Sequence, residues 1–576
     1  MKSIGKAAGS NIVLLAVLVL GLSACLSGGG GGGDSGSVAG GSPVVPPPVV
    51  PGCPRPAPVP PAASAPVGGS CVADASTDYL AADFYVDAAG GNDANNGLTA
   101  GTAWQTLSKA LTSAAAGKTV FVLNGNYGVL QETIALGRTS YLTLRAAPGH
   151  SPIVTKINID YAAKQPAFLR FVGFSIQNTD RDPDNGSLVS FKDATDIELL
   201  NNTISSVATR GSGYAIASLT PGNPSTIDGI GLDNTDRITI KSNCISGVFR
   251  GIQLAGSSAV SLLRNYISPQ SGSGIQYLSN NSNVLIQDNH IRGMNFTPYC
   301  VDAPLPASAA LCVTVGDPNS IFDPHDSMIS VRSNDLTVRN NIVHGLGSTS
   351  GIRFYVPDIT GGRTDYSNIT IEGNLIYDAR NTQVLQMTGV ADNVLVRNNT
   401  VISQYTTGAC ITGSPIGVTN DARFRYSTAL NVISIAPGKD GSGLSVVNNV
   451  FVGATLLGGA LAADKKNIFW SYAPTGTTFS ATSLSGNSKI VTSAFLGCGN
   501  APTYFETGFF AAAPNYIPNH GLFLNYKPAA TSEAVGFGDA TSQLPRILGS
   551  LDVNNFFIND GGDRCTWQNS AGAYEP

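Results

Sequence analysis

Short runs in which every second residue is apolar recur through the middle of the chain, and none keeps helical spacing long enough to build a helix. Asp196-Ile-Glu-Leu-Leu-Asn-Asn-Thr-Ile, Arg237-Ile-Thr-Ile-Lys-Ser-Asn-Cys-Ile, Asn283-Val-Leu-Ile-Gln-Asp-Asn-His-Ile, Asn368-Ile-Thr-Ile-Glu-Gly-Asn-Leu-Ile and Asn393-Val-Leu-Val-Arg-Asn-Asn-Thr-Val share one template, apolar-x-apolar-x-x-Asn-x-apolar. Another short run accompanies it: Gly251-Ile-Gln-Leu, Gly274-Ile-Gln-Tyr, Gly351-Ile-Arg-Phe. Such runs, rich in β-branched residues and punctuated by Gly and Asn, predict short strands separated by tight bends, two or three to a coil. Coils stacked on one another form parallel sheets around a single core, an all-β solenoid.

The template asparagine falls at Asn202, Asn243, Asn265, Asn289, Asn341, Asn374, Asn399 and Asn449, with successive differences of 41, 22, 24, 52, 33, 25 and 50. These cluster near one or two units of about 22 to 26 residues, the longer ones carrying inserts. A buried amide at a fixed place in each coil can bond its copies above and below, which offsets the cost of burying it and makes its role structural. The 52-residue gap equals about two coils, yet Thr297 to Ser320 lacks alternation and is rich in Pro and Ala. The loop Pro298 to Asp317 is therefore expected to protrude as a flap. After Ser471 the repeat is lost, and the remainder reads as an irregular C-terminal cap, because the open end of a sheet needs cover.

Composition sharpens this picture. Only 12% of the 576 residues are charged and the net charge is -5, with Gly 66 and Pro 33. Helices dressed with Lys and Glu are excluded, as is a basic field for nucleic acid. The N-terminus carries Lys2 and Lys6, an apolar run from Ile12 to Leu22, and then Ser23-Ala24-Cys25. That run is too short to span a bilayer and reads as an export signal. From Leu26 to about Ser76 the Gly run and Pro-Val-Pro-Pro-Pro stretches cannot bury enough surface to fold, so they read as a tether. The expected division is residues 1–24 signal peptide, 25–78 disordered tether, 79–470 β-solenoid and 471–576 cap.

Nine cysteines leave eight once Cys25 is set aside, an even number suited to an oxidising compartment. By proximity or shared region the expected pairs are Cys53 with Cys71, Cys300 with Cys312 and Cys498 with Cys565, leaving Cys244 and Cys410 free. Sequence alone does not settle this connectivity.

Three resemblances follow from these residues. Leu22-Ser-Ala-Cys25 is similar to a bacterial lipobox, which implies cleavage before Cys25, acylation of its thiol and anchoring in the cell envelope, at the outer membrane. The repeat resembles the pectate-lyase-like right-handed parallel β-helix family. So do the opening Phe84-Tyr-Val-Asp-Ala-Ala-Gly-Gly-Asn-Asp-Ala-Asn-Asn-Gly, Trp104-Gln-Thr-Leu-Ser-Lys-Ala-Leu and Gly117-Lys-Thr-Val-Phe-Val-Leu-Asn-Gly-Asn-Tyr. The likeness covers about Asp83 to Phe469 and implies a helix near Leu107 to Ala115 over the first coil, an N-terminal helical cap. The tetrapeptide Asp323-Pro-His325-Asp326 is similar to a motif of mannuronan C-5 epimerases, which implies a catalytic acid at Asp323 and imidazole at His325. The departure is a further strand, Ser327 to Ser333, before Leu336-Thr-Val.

Of the five histidines, His290 follows the ladder asparagine and reads as a surface residue of the stack. His325 lies in Ile321-Phe-Asp-Pro-His-Asp-Ser-Met-Ile-Ser-Val-Arg, between Asp323 and Asp326 at the start of a strand. If Ile329 matches Ile275 and Ile352, an outward row reads Gln253, Gln276, Ser330, Arg353 and the next Ala255, Arg332, Tyr355. Asp228, Arg250, Ser273, Asp326 and Ser350 would then line the strand entrance. A one-residue slip would put Met328 in place of Ile329 and turn Arg332 inward, against the cost of burying a charge. Cleavage of a polyuronide by elimination needs a cation to neutralise the carboxylate, a base and an acid. Arg353 or Arg332, His325 and Tyr355 supply these types. The plain alternative is a capped turn at Asp323-Pro-His-Asp with solvated arginines.

Asp180, Asp182 and Asp184 alternate like the start of a calcium loop, but Phe191 stands where the closing glutamate belongs, so a plain turn is preferred over calcium. The residues thus point to a lyase acting on an acidic polysaccharide. An epimerase or a non-catalytic glycan-binding adhesin stand as alternatives, and the partner is a polysaccharide or cell-surface glycan bound by a monomer.

Overall fold

In each coil of the protein the chain runs through three short strands joined by bends, and each strand pairs in parallel with its counterpart one coil on. The computed structural model describes residues 81–178, 186–206, 227–248, 250–268, 273–278, 280–292, 327–344, 350–354, 365–379, 383–387, 390–403, 431–435, 443–452, 455–457, 463–470, 489–491, 545–547 and 564–566. The architecture is an all-β, right-handed parallel β-helix.

The first sheet stacks Asp228–Asp233, Ile252–Ala255, Ile275–Tyr277, Ser327–Val331, Ser350–Phe354, Gln383–Met387, Asn431–Ile435 and Thr455–Leu457. The second sheet begins in each coil after a bend, as in Asp236–Lys241, Ser258–Leu263 and Ser282–Gln287. The third runs from Ile153–Val154 and Ser175–Asn178 through Thr203–Ser206, Cys244–Ser246, Tyr266–Ser268 and His290–Arg292, and on to Lys489–Val491, past the point where the repeat fades in sequence. First and second sheets are continuous through the long bent strands Lys156–Val172 and Ser187–Leu200. Pro545–Ile547 and Arg564–Thr566 pair antiparallel, apart from the stack.

The alternation read from sequence places Ile230, Ile252, Ile275, Ile329 and Ile352 in one fully buried inward column. Each such side chain contributes about 2–3 kcal/mol of transfer free energy. The bends explain why the template begins and pivots on Asn or Asp. The residue just before each ladder asparagine is left-handed, as at Asn201, Asp288, Asn340 and Asn398 with φ near 55°. So is the residue six before it, as at Asp196, Asn283, Asn368 and Asn393. Asn and Asp enter that region at least cost after glycine. Gly251 answers a different need: a Cβ there would lie 2.3 Å from Ile267 Cγ2 and 2.4 Å from the Gly274 carbonyl oxygen.

The ladder forms as expected. Asn243 donates from Nδ2 to Asn265 Oδ1 at 3.0 Å and to the Leu199 carbonyl at 2.8 Å, and the pattern repeats upward through Asn265, Asn289, Asn341, Asn374, Asn399 and Asn449. Asn467 continues it, accepting from Asn449 at 3.0 Å. A shorter ladder absent from the sequence reading, Thr235, Ser257, Asn281 and Ser333, lines the bend between first and second sheets.

Consecutive ladder asparagines stand in consecutive coils whatever their separation. Tyr266 pairs with His290 and His290 with Ile342, so the 52-residue interval is one coil and not about two. Segment 293–326, including the expected flap and Cys300 and Cys312, lies outside the described residues. The extra length enters beside the first sheet, between its strands and the neighbouring second or third sheet.

At the N-terminal end the helix Leu107–Ser113 buries Leu107, Ala110 and Leu111 against the first coil, as the resemblance implied. Thr106 caps it by accepting from Lys109 N–H at 3.1 Å. Beneath it Arg138 grips Glu132 with both terminal nitrogens, at 2.9 and 2.6 Å, and donates to the Leu111 and Ala167 carbonyls. The Tyr161 hydroxyl donates to the same carboxylate.

Two readings are corrected here. Cys244, expected free, is disulfide-bonded. His290, expected at the surface, is 3% exposed and stands edge-to-face on Tyr266 with ring centres 5.3 Å apart. Both belong to the outer side of the third sheet, and the repeat carries no signal for what covers that side. Cys25, Cys53, Cys71 and Cys498 lie outside the described residues, as does the side chain of Cys565.

Candidate functional site

The register expected for the first sheet is the one observed: Ile275 pairs with Ile329 and Ile329 with Ile352, so the slip to Met328 does not occur. Gly231, Gln253, Gln276, Ser330, Arg353, Gln386 and Ser434 consequently occupy one column, one residue beyond the buried isoleucine column. Strands stack at about 4.8 Å, so Gln253, Gln276 and Ser330 form a polar strip along the solenoid axis, half-buried at Gln253 and buried at Gln276 and Ser330. Arg332 follows at the end of its strand, half-buried, its backbone N–H donating to the Tyr277 carbonyl at 2.8 Å.

The entrance row is shifted by one residue from expectation. Ser327, not Asp326, pairs with Ser350, so the row reads Asp228, Arg250, Ser273, Ser327, Ser350. Asp323, His325, Asp326 and Tyr355 lie outside the described residues, as do Asp180, Asp182 and Asp184. The structure thus brings Arg332 and the backbone of Arg353 to neighbouring coils of one sheet. Among the described residues no group of three His, Cys, Asp or Glu side chains is placed to hold a metal ion.

Below these coils Arg250 bridges two levels. Its Nη1 lies 3.5 Å from Asp228 Oδ2 and donates to Gln253 Oε1 at 3.2 Å. Asp228 is nearly buried and the Arg250 side chain is 29% exposed, which leaves part of a guanidinium facing outward with its orientation held. Planar recognition of a carboxylate needs such a group.

Two hydroxyls of the expected rows, Ser330 of the outward row and Ser273 of the entrance row, mark the same strip. Ser273 and Ser330 are 0% and 1% exposed, and neither Oγ has a hydrogen-bond partner. An unmade bond at a buried hydroxyl costs about 1–3 kcal/mol. Their sequence signal was only a serine at an outward position. Under the strip, Tyr277 donates to the Asn334 carbonyl at 2.6 Å, and burial lifts its phenol well above the ordinary value, keeping it a donor.

A family model described as a right handed beta helix region matches residues 154–303 and 229–451. No curated protein matches the sequence. Solved structures similar to the chain include an alginate lyase from Paenibacillus sp., 13% identical over 52% of this chain and 95% of that one, TM-score 0.34. The A-module of a mannuronan C-5 epimerase from Azotobacter vinelandii is 12% identical over 71% of this chain and all of that one, TM-score 0.33. A surface adhesin of Streptococcus pneumoniae is 11% identical over 63% and 85%, TM-score 0.36.

Proposed function

The chain belongs to the right-handed β-helix family, and from that premise we propose that it acts on an acidic polysaccharide laid along the first sheet, cleaving it by β-elimination. One observation carries the reading: the register Ile275–Ile329–Ile352 sets Arg332 and Arg353 on adjacent coils beside the polar strip of Gln253, Gln276 and Ser330. His325, four residues before Ile329 in the chain, belongs to the same coil by sequence.

In the proposed reaction Arg353 or Arg332 pairs with the uronate carboxylate and so acidifies the neighbouring α-proton. His325 takes that proton, with Asp323 and Asp326 beside it to orient the imidazole. The electron pair of the broken C–H bond forms a ring double bond as the glycosidic C–O bond breaks, and Tyr355 gives its proton to the leaving oxygen. No water, oxidant or cofactor enters this balance; calcium is proposed only as an auxiliary for the carboxylates.

The signal at residues 12–25 supports export and lipid anchoring through Cys25, which would hold the body on the cell envelope by a tether at 25–78. Residues 1–80 lie outside the described residues.

The test is incubation of purified protein with pectate, alginate and chondroitin, with and without calcium, following ultraviolet absorbance of the unsaturated product. Absorbance that His325→Ala abolishes supports the lyase. An altered uronate composition without unsaturation, measured by proton NMR, indicates the epimerase that Asp323-Pro-His325-Asp326 resembles. Glycan binding unaffected by His325→Ala, with no product, indicates an adhesin.

A further inference from the structure

The outward column of the first sheet continues below Gly231. Pairing carries it through Ser190 and Asn158 to Gln131, so Gln131, Asn158, Ser190, Gly231 and Gln253 stack over successive coils, about 19 Å at the strand spacing. Gln131 is exposed and the others are half-buried, whereas Gln276 and Ser330 above them are buried. The accessible part of the column is thus uncharged throughout. Its amides and its hydroxyl both donate and accept, as the hydroxyl and acetamido groups of an uncharged sugar do.

Charges stand on either side of the column, and among the described residues they alternate from coil to coil. The coil of Asn158 holds Lys156 and Asp160, which cancel. The next holds Lys192, the next Asp228 and Asp233, and the next Arg250. The coil of Ile275–Tyr277 adds no charge, and the strand after it is followed by Arg332. Lys192, Arg250 and Arg332 therefore stand two coils apart, about 10 Å, with a doubly acidic coil in the first interval and an uncharged one in the second. Asp193, at the bend beyond Lys192, is bonded to Asn234. Arg353, on the coil after Arg332, departs from the alternation at the place proposed for cleavage.

Both lower cations also lean toward a carboxylate of a neighbouring coil. Lys192 Nζ lies 3.9 Å from Asp160 Oδ1, and Arg250 Nη1 lies 3.5 Å from Asp228 Oδ2. A polymer laid along the axis advances by nearly one coil per sugar. With a carboxylate on every sugar it would set an anion beside Asp228 and Asp233 for each one beside Lys192 or Arg250, and like charges brought together exclude a partner. With a carboxylate on every second sugar, the anions fall beside Lys192, Arg250 and Arg332, and the uncharged sugars fall between.

On the premise that the first sheet is a polysaccharide face, we propose that the substrate is an alternating heteropolysaccharide, uronate and uncharged sugar in turn, and not a homopolyuronate. Asp228 and Asp233 set that specificity by repulsion, and Lys192 and Arg250 set the register of the chain.

The test is calorimetric titration of the full-length protein, carrying His325→Ala so that a bound chain is not cut. One ligand is a chondroitin octasaccharide, whose glucuronates alternate with N-acetylgalactosamine, and the other is octagalacturonate. The chondroitin oligosaccharide is expected to bind roughly tenfold tighter or more. Asp233→Asn should strengthen octagalacturonate binding and leave chondroitin binding alone, and Lys192→Gln should weaken chondroitin binding. Both side chains are exposed, so the fold bears the changes. Octagalacturonate bound equally or more tightly, or affinities indifferent to both substitutions, overturns this inference and leaves the polysaccharide reading standing. Binding of neither oligosaccharide overturns both.

Discussion

Asn289 donates its side-chain amide to Asn341 Oδ1 at 3.0 Å although 52 residues separate them in the chain. The bond has the same length as the one between Asn265 and Asn289, which are 24 residues apart. The ladder therefore measures coils and not residues, and it holds the coil geometry constant across every insert.

Removing one rung should tell strongly. Asn289→Ala orphans the Asn265 backbone N–H and the Leu262 carbonyl, both buried. The expected loss is about 3 kcal/mol, from two or more unsatisfied buried groups, read as a lowered urea midpoint. A loss well under about 1 kcal/mol would mean that the rung is not coupled to its neighbours along the stack.

Two glycines separate steric from conformational cost. At Gly251 a Cβ collides with the Ile267 side chain and the Gly274 backbone, so Gly251→Ala should destabilise by roughly 3 kcal/mol or more, as overpacking does. At Gly128 a Cβ meets nothing within 4 Å, but φ is +66°. Gly128→Ala should cost only about 1–2 kcal/mol, the left-handed penalty. Thermal melts of the two variants side by side check the order.

The sequence made these features legible to different degrees. Asn289 and Asn341 are readable because the amide must recur at one place in each coil. Asn283 and Asn368 are readable for a second reason, the left-handed bend that favours Asn. The ladder of Thr235, Ser257, Asn281 and Ser333 escaped notice because three residue types perform one role, and Asn467 because its coil is only 18 residues from the last. The burial of Cys244 and His290 was not readable, since alternation tells only which side of a strand faces the core. In the site, the outward column of Gln253, Gln276 and Ser330 followed from alternation alone. The entrance row failed by one residue because strand Ser327–Val331 starts after Asp326.

The buried pair Glu132 and Arg138 should behave asymmetrically. Their side chains are 5% and 4% exposed, and Arg138 also holds the helix carbonyl of Leu111. Glu132→Gln or Arg138→Met alone should cost about 3–5 kcal/mol by leaving the other charge unpaired, while the double change to apolar residues should restore much of it. A double-mutant cycle in denaturant reports the coupling.

Acid should weaken the bend between first and second sheets. The hydrogen bond from Arg237 holds the Asp196 carboxyl below the usual carboxylate range, helped by Thr195 and opposed by burial. A lowered folded-state value contributes stability that is complete above the unfolded value, about 3.9, and is lost as pH falls through the folded one. Asp196→Asn should therefore be less stable than the parent at pH 7, with the gap closing below about pH 4. A gap independent of pH would show that the Arg237 bond is not its source.

The central claim, that an acidic polysaccharide lies along the first sheet, is tested most directly by hydrogen exchange of the full-length protein with and without saturating oligouronide. The account predicts slowed exchange in Ile252–Ala255, Ile275–Tyr277, Ser327–Val331 and Ser350–Phe354, with the second and third sheets unchanged. Protection confined to those other sheets, or none on any polyuronide, would contradict it.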